Sequence, residues 1–150
     1  NMMTREVSGD SPINCSAARL LRAARVLTRH YDEALRPAGI TITQFGLLNV
    51  IKRAEPESIS DIAGILDIDR TTLSRNLKPL EKANLVFRGN EGGSRRRRVL
   101  LTTLGVAKLE EAMPLWQQAQ SRVEQVLGDA KLKDLYGALS MIRPELIAQT

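Results

Sequence analysis

Residues 69–81, with the sequence DRTTLSRNLKPLE, constrain the fold of this chain more than any other segment. Its leucines recur at the three- and four-residue steps that place side chains on one face of an α-helix, and they are Leu73, Leu77 and Leu80. Asp69 stands before them, where a short acidic side chain can cap a helix. The segment therefore predicts a short amphipathic helix, with Ala83 or Asn84 continuing its inward stripe.

A β-hairpin is predicted directly after this helix. The runs 85–88 and 96–101 are strand-like, and the loop 89–94 between them is rich in residues that tolerate positive φ. Four consecutive arginines, residues 95–98, lead into the second run. Because side chains alternate between the two faces of a strand, we expect only two of these arginines to point the same way.

Positive charge is concentrated in the same part of the chain. Residues 70–98 hold nine of the 22 Lys and Arg residues against only Glu81 and Glu91, so the segment carries +7 and the remainder −2. The outer face of the predicted helix is itself basic. Such a local excess is expected of a surface that binds nucleic-acid phosphates, because displacing counterions from the backbone supplies much of the affinity.

Three further helices are predicted before this segment. Apolar residues between 14 and 36 recur with helical spacing, which gives a long amphipathic helix. Thr43 is the expected cap of the second helix. The next unit combines a short strand at 57–59 with a helix at 61–66 that Ser60 can cap. A helix, a tight turn and a second helix with a basic outer face make a helix-turn-helix.

The remainder of the chain predicts two more helices. Thr103 can cap a long helix that ends at Gly128, and a last helix runs through 132–146 with Pro144 near its end. These helices and the first one carry more apolar surface than one small lobe can bury, which favours a homodimer. The expected parts are a flexible segment at 1–12, a single domain at 13–150, dimerisation helices at 13–37 and 103–147, and a winged helix-turn-helix lobe at 43–102.

The amino-acid composition agrees with a mainly helical fold. The chain has 150 residues, 43% hydrophobic but only 3% aromatic, which favours a mainly α fold with a small β-hairpin. No stretch approaches the ~20 apolar residues of a membrane-spanning helix, and the N-terminus lacks the apolar core of a signal peptide, so we expect a cytoplasmic protein without a membrane partner. A lone Cys15 agrees with a reducing compartment.

The order of elements and several motifs resemble the MarR family of transcription regulators. The resemblance covers about residues 14–147 and is carried by ITQFGLL at 42–48, the segment at 69–81, Leu85-Val86 and the run from Arg95 to Thr102. It implies a homodimer whose two winged lobes bind double-stranded DNA at a palindromic promoter site. It also implies repression of transcription until a small-molecule effector or an oxidant releases the protein.

The same likeness assigns the residues that contact DNA. On the recognition helix, Arg70 or Arg75 would meet guanine in the major groove, and the wing arginine that enters the minor groove would be Arg95. Where the family usually has an Asp two residues before that arginine, this chain has Gly93. The full expected set is Ser60, Arg70, Thr71, Thr72, Ser74, Arg75, Lys78, Arg95 and Arg97.

Two kinds of sensor are open on sequence alone. Cys15 stands at the start of the first helix, where the helix dipole and Arg19 would favour a thiolate, and this suggests a redox trigger. The alternative is a small-molecule pocket lined by the uncommon side chains His30, Tyr31, Phe45 and Trp116. Each of these four can equally serve core or interface packing.

An enzyme is not expected. No Gly-rich phosphate loop follows a strand, no helical His pair is present, and one His with one Cys does not make an ordinary zinc site, so no metal, cofactor or catalytic residue is assigned. The rival to a regulator is a helical protein-interaction module with only non-specific DNA affinity. A neutral outer face on the helix at 69–81 would favour that rival, and this face is basic.

Overall fold

The structure is a computed structural model that describes residues 12–54, 58–89 and 98–148, except for the side chains of Ile13 and Ala54. Its elements confirm the mainly α fold with a two-stranded hairpin. In chain order they are α1 Ser16–Leu35, α2 Ile42–Ala54, α3 Ile59–Leu66, α4 Arg70–Lys82, β1 Val86–Gly89, β2 Arg98–Leu101, α5 Thr103–Leu127, α6 Asp129–Ser140 and α7 Pro144–Ile147. Single 3₁₀ turns at Pro12–Asn14 and Arg36–Ala38 flank α1.

The core lies where the end of α1, α2, α3, α4, the hairpin and the first half of α5 meet. Side chains from each of these elements are fully or almost fully buried, and they include Leu48, Ile62, Leu73, Leu77, Leu80, Val99 and Leu109. Leu73, Leu77 and Leu80 form the predicted inward stripe of α4. The opposite face of that helix therefore points away from the core.

Three predicted helix caps are wrong by one or two residues. The second helix is capped by Thr41, not Thr43: the Thr41 hydroxyl accepts from the Gln44 amide at 3.2 Å, and the Gln44 side chain accepts from the Thr41 amide at 3.0 Å. This reciprocal pair is a capping box, whose Thr-x-x-Gln spacing is visible in the sequence. Thr43 lies inside α2.

The third and fifth helices show the same displacement. Ser58, in extended backbone, accepts a hydrogen bond from the Asp61 amide at 3.2 Å and so caps α3 in place of Ser60. Ile59 is already helical, so the strand predicted at 57–59 is wrong for the two of its residues that the structure describes. Thr102 rather than Thr103 caps α5, since its hydroxyl accepts from the Gly105 amide at 2.9 Å.

The end of α4 differs from the predicted stripe. Ala83 and Asn84 are exposed rather than inward, because the helix ends at Lys82 and the chain reverses. Asn84 adopts the left-handed conformation at φ 57°, and the Leu85 amide donates to the Leu80 carbonyl at 2.9 Å. Together with the Asn84 amide on the Glu81 carbonyl at 3.0 Å, this is the Schellman motif.

The hairpin pairs β1 and β2 in antiparallel register, with Val86 opposite Leu101 and Gly89 opposite Arg98. It leads directly into α5, and the junction is tight. The Thr102 amide donates to the Leu85 carbonyl oxygen at 3.0 Å, and a Cβ atom placed on Gly105 would lie 2.1 Å from that same oxygen. Only glycine fits at this point of α5.

The C-terminal part is divided where a single last helix was predicted. The sixth helix ends at Ser140, Arg143 is extended, and Pro144 begins α7 as its first residue. The proline explains the break, because its ring disfavours helical backbone at the residue before it. None of the described helices is long and apolar enough to cross a membrane.

Candidate nucleic-acid interface

The outer face of α4 is a row of exposed polar and basic side chains. Arg70, Thr71, Arg75 and Lys78 are exposed, and Ser74 between them is half-buried. Within the described part of the chain, no carboxylate lies within ion-pair distance of these three cations. The predicted recognition-helix residues therefore lie together on one surface, and its positive charge is available to an anionic ligand.

The cap of α4 orders the start of this face. One Asp69 carboxylate oxygen accepts from the Thr72 amide at 2.6 Å, and the other accepts from the Thr72 hydroxyl at 3.0 Å. These hydrogen bonds, with a smaller contribution from Arg75, hold the pKa of Asp69 below its usual value. The Thr72 hydroxyl proton is committed to the cap, which makes Thr72 a weaker candidate for DNA contact than Thr71.

The hairpin lies beside the C-terminal end of α4. Arg88 on β1 donates through Nε to Glu81 Oε1 on α4 at 2.8 Å, a pair that the sequence interpretation did not identify. Arg98 is exposed at the start of β2. Arg95 and Arg97, the two predicted wing contacts, and Gly93 lie outside the described residues. Ser60 is exposed in the first turn of α3.

A cavity of about 520 Å³ opens between α2, α3 and α5. It brings together two of the predicted effector-site residues, because Phe45 and Trp116 stack there with ring centroids 6.0 Å apart and planes 18° apart. The rest of the lining is mostly apolar. Its residues, apart from these two, are Ile42, Gly46, Asn49, Val50, Arg53, Ile65 and Met113.

The lining residues from α2 follow helical spacing, and Phe45 is the one among them that the sequence predicted to line a pocket. A Cβ atom on Gly46 would meet nothing within 4 Å, which shows that the missing side chain contributes open space. Arg53 at the end of α2 is exposed, and no described carboxylate pairs with it. The cavity therefore joins a flat aromatic stack to a guanidinium group.

His30 and Tyr31 lie elsewhere. His30 Nε2 is 3.0 Å from the Ala119 carbonyl oxygen, and the Tyr31 hydroxyl donates to Gln120 Oε1 at 2.5 Å. Burial, with a smaller effect from Tyr136 and Glu124, raises the pKa of Tyr31. These two side chains hold α1 against α5 instead of lining the cavity.

Cys15 is the residue before α1 and is exposed. Arg19, one turn on, donates to the Asn14 side chain at 2.6 Å. Across the described ranges, no group of three or more His, Cys, Asp or Glu side chains is placed to hold a metal ion. The thiol is thus open to solvent, and Arg19 already has a neutral hydrogen-bond partner.

Comparison with known proteins identifies the family. A family model described as "MarR family" matches residues 38–97, which span α2 to the hairpin. The HTH-type transcriptional regulator FarR of Neisseria gonorrhoeae is 31% identical over 131 residues, covering 85% of this chain and 90% of that protein. The chain belongs to the MarR family.

Solved structures of the MarR family agree. The M. tuberculosis transcriptional regulator MosR, in a crystal structure with DNA, is 36% identical with a TM-score of 0.72, over 86% of this chain and 98% of that one. A mutant of E. coli MarR complexed with operator DNA is 27% identical with a TM-score of 0.76, over 85% and 93%. This protein is a MarR-family transcription regulator that binds DNA, and the similar proteins are regulators rather than enzymes.

Proposed function

We propose that the protein is a homodimeric repressor that binds a palindromic promoter site and is released by a small molecule held in the α2–α5 cavity. One observation carries the DNA-binding part: the exposed basic face of α4 lies opposite its buried leucine stripe, and the hairpin adjoins the end of that helix. A helix with this polarity can enter the major groove while its other face stays in the core.

Arg70 and Arg75 are the proposed base-reading residues. A guanidinium group presents a planar fork of donors that matches the two acceptors of guanine, which gives base discrimination. Lys78, Thr71, Thr72, Ser74 and Ser60 are proposed to contact phosphates or base edges, with Thr72 limited by its role in the cap. Arg95 and Arg97 remain the proposed wing contacts.

A homodimer is proposed from the apolar side chains that one protomer leaves uncovered. On α1 these include Leu20, Leu21 and Leu27, and on α6 and the following turn they include Leu139 and Ile142. Exposed apolar side chains that recur along a helix are expected of a surface that another protein surface covers. A second copy would cover them and carry a second α4, as two half-sites of a palindrome require. The dimerisation helices at 13–37 and 103–147 follow from this proposal.

The proposed effector is a compound with a flat apolar body and an anionic group. The stacked rings of Phe45 and Trp116 suit an aromatic or conjugated body, and Arg53 at the edge suits a carboxylate. The cavity lies between the helix before the helix-turn-helix and the long α5. A ligand there contacts both, so it can favour one arrangement of the lobe relative to α5.

The test of DNA recognition begins by enriching duplexes from a random-sequence pool with the purified protein. A palindromic sequence bound by two copies is the expected result. Arg75→Ala should then weaken binding to that site by about 1–3 kcal/mol and affect random DNA much less. Arg29→Ala, which removes the same exposed charge from α1, is the matched control and should leave the selectivity unchanged. Equal loss on both duplexes would favour the protein-interaction module with non-specific DNA affinity.

The effector proposal is tested by filling the cavity. Gly46→Leu adds a side chain where open space exists and should abolish release from DNA by aromatic carboxylates in a screened panel, with DNA affinity retained. Gly137→Leu on α6 adds the same side chain outside the cavity and is the control: with sedimentation to verify that it assembles as the wild type, it should respond as the wild type. Release that persists in Gly46→Leu would exclude this cavity as the effector site.

An oxidant is the second proposed trigger, favoured by one observation, the exposure of Cys15 to solvent at the start of α1. Treatment with peroxide would then release the wild-type protein from its site. The Cys15→Ser variant should stay bound. Release that occurs equally in both proteins would exclude the thiol as the sensor.

A further inference from the structure

Glu81 is the only carboxylate between residues 70 and 89, a segment that also holds five basic side chains. Two local electrostatic rules oppose it. A carboxylate repels phosphates on a surface that binds DNA, and it is disfavoured in the last turn of a helix, where the helix dipole is negative. A residue that is electrostatically unfavourable in its local surroundings is expected to make a compensating interaction.

The compensation is visible in its contact with Arg88. Arg88 Nε donates to Glu81 Oε1 at 2.8 Å, and the two side chains are only 29% and 33% exposed. Because the pair is partly buried, solvent and salt screen its attraction less than they screen that of an exposed surface pair. Two other ion pairs, Glu33–Arg36 and Lys108–Glu111, each join residues three positions apart. The Glu81–Arg88 pair instead joins the basic helix α4 to the hairpin.

This contact holds the first hairpin strand at a point away from its base. At the base, the Leu85 amide is hydrogen bonded to the Leu80 carbonyl, and the Thr102 amide to the Leu85 carbonyl. Arg88 lies three residues further, opposite Val99 on β2. The charged hydrogen bond near the far end of β1 therefore joins the strand directly to α4 at a place that these base contacts do not reach.

We propose that Glu81 and Arg88 form a positioning pair for DNA recognition. By holding β1 at one angle to α4, the pair lets the recognition helix and the wing engage their grooves at the same time. Neither residue needs to contact DNA. The inference rests on the proposed function, because it requires both α4 and the hairpin to meet the duplex.

Glu81→Gln tests the proposal, because a positioning residue and an ordinary surface acid predict opposite changes in the affinity for the specific site. If Glu81 is an ordinary surface acid, removing its charge strengthens binding to every duplex, because phosphate repulsion falls. If it positions the wing, affinity for the enriched palindromic site falls about tenfold, on the scale of one mismatched base pair. Binding to random DNA would be unchanged or tighter. Glu33→Gln removes an equal charge from an exposed pair in the last turn of α1; with sedimentation to verify that it assembles as the wild type, it should change neither affinity.

Exchanging the two charges tests the pair itself. Arg88→Glu should lose specific affinity because it places two carboxylates together. The double variant Glu81→Arg with Arg88→Glu has the wild-type net charge and should recover most of that affinity. Thermal melting of each variant shows whether the chain is still folded. A double variant that folds as the wild type but shows no recovery would overturn the pairing.

Footprinting separates positioning from general weakening. In Glu81→Gln the bases protected by α4 should stay protected, whereas protection of the flanking groove that faces the hairpin should be lost. Uniform loss of protection, or tighter binding to the specific site, would overturn the inference while the wild-type selectivity still supports the proposed function. If the wild type itself does not discriminate between the enriched site and random DNA, the proposed function and this inference both fail.

Discussion

The helix-turn-helix lobe and the long helices differ in how much of themselves they bury. In the lobe, Leu73, Leu77 and Val99 are completely inaccessible to solvent. In α1, every residue from Ser16 to Arg29 is exposed, and α7 is exposed throughout. The lobe therefore completes its core within one chain. The outer helices carry apolar side chains that a second copy of the chain is proposed to cover, and the proposal therefore predicts that their stability depends on assembly.

Truncating one leucine in each region tests this difference most directly. Leu77→Ala removes a fully buried side chain from the core and should lower the free energy of unfolding by about 2–5 kcal/mol. Leu21→Ala, at 58% exposure on α1, should change protomer stability little but weaken self-association. Chemical denaturation at several protein concentrations, together with sedimentation, measures both effects.

A result in which Leu21→Ala matched Leu77→Ala at every protein concentration would contradict the division. It would mean that the N-terminal part of α1, and not only Leu35 at its end, folds as part of the same core as the lobe. An unfolding midpoint whose dependence on protein concentration changes in Leu21→Ala but is kept in Leu77→Ala would instead place the α1 leucine in the assembly contact.

The junction between the two regions should be nearly as sensitive. Gly105→Ala places a Cβ atom 2.1 Å from the Leu85 carbonyl oxygen, a distance that forces backbone to move. We expect destabilisation of about 3 kcal/mol, near the upper end for overpacking, and loss of DNA binding because the hairpin meets α5 there. Thermal unfolding and DNA titration measure the two losses.

The matched control is Gly137→Ala on α6, where an added Cβ atom meets nothing within 4 Å. It should raise stability by about 0.5–1 kcal/mol, since alanine is the better helix former. Equal behaviour of the two variants would show that the hairpin and α5 are not in close contact.

Most of the fold was predictable, and the three misplaced helix caps have one physical origin. Helical periodicity identified the stripe of α4, and the pairing of strand-like runs identified the hairpin. Caps failed at Thr43, Ser60 and Thr103 because each has an equally good capping residue one or two positions earlier. Sequence supplies the side chain that can cap, whereas backbone conformation decides which residue does so.

In the candidate site, the residues on the face of α4 could be predicted from the sequence, whereas the contacts between different elements could not. The exposed face of α4 follows from spacing along one helix, so its residues were correctly grouped. The Glu81–Arg88 pair and the stacking of Phe45 on Trp116 join residues from different elements. Those contacts depend on tertiary packing, which one sequence does not show. For the same reason, His30 and Tyr31 were grouped with the cavity although they pack α1 against α5.

The smallest expected effect concerns the seam between α1 and α5. Tyr31→Phe removes the hydrogen bond to Gln120 and should cost about 1 kcal/mol at neutral pH. The raised pKa of Tyr31 adds a pH dependence with a definite sign. The folded state favours the neutral phenol of Tyr31. The stability that this preference contributes is therefore fully present below 10.0, the pKa of Tyr31 in the unfolded chain, and is lost as pH rises through its higher pKa in the folded protein.

The phenylalanine variant has no proton to lose at this position, so its stability lacks that alkaline decline. The stability gap between the wild type and Tyr31→Phe should therefore narrow as pH rises above 10, while ionisation of the groups that do not interact with Tyr31 affects both proteins alike. Chemical denaturation of both proteins at neutral pH and at several alkaline values, at one fixed protein concentration, measures the gap. A gap that stays constant or widens would show that the Tyr31 hydroxyl is not held as a buried neutral donor between α1 and α5.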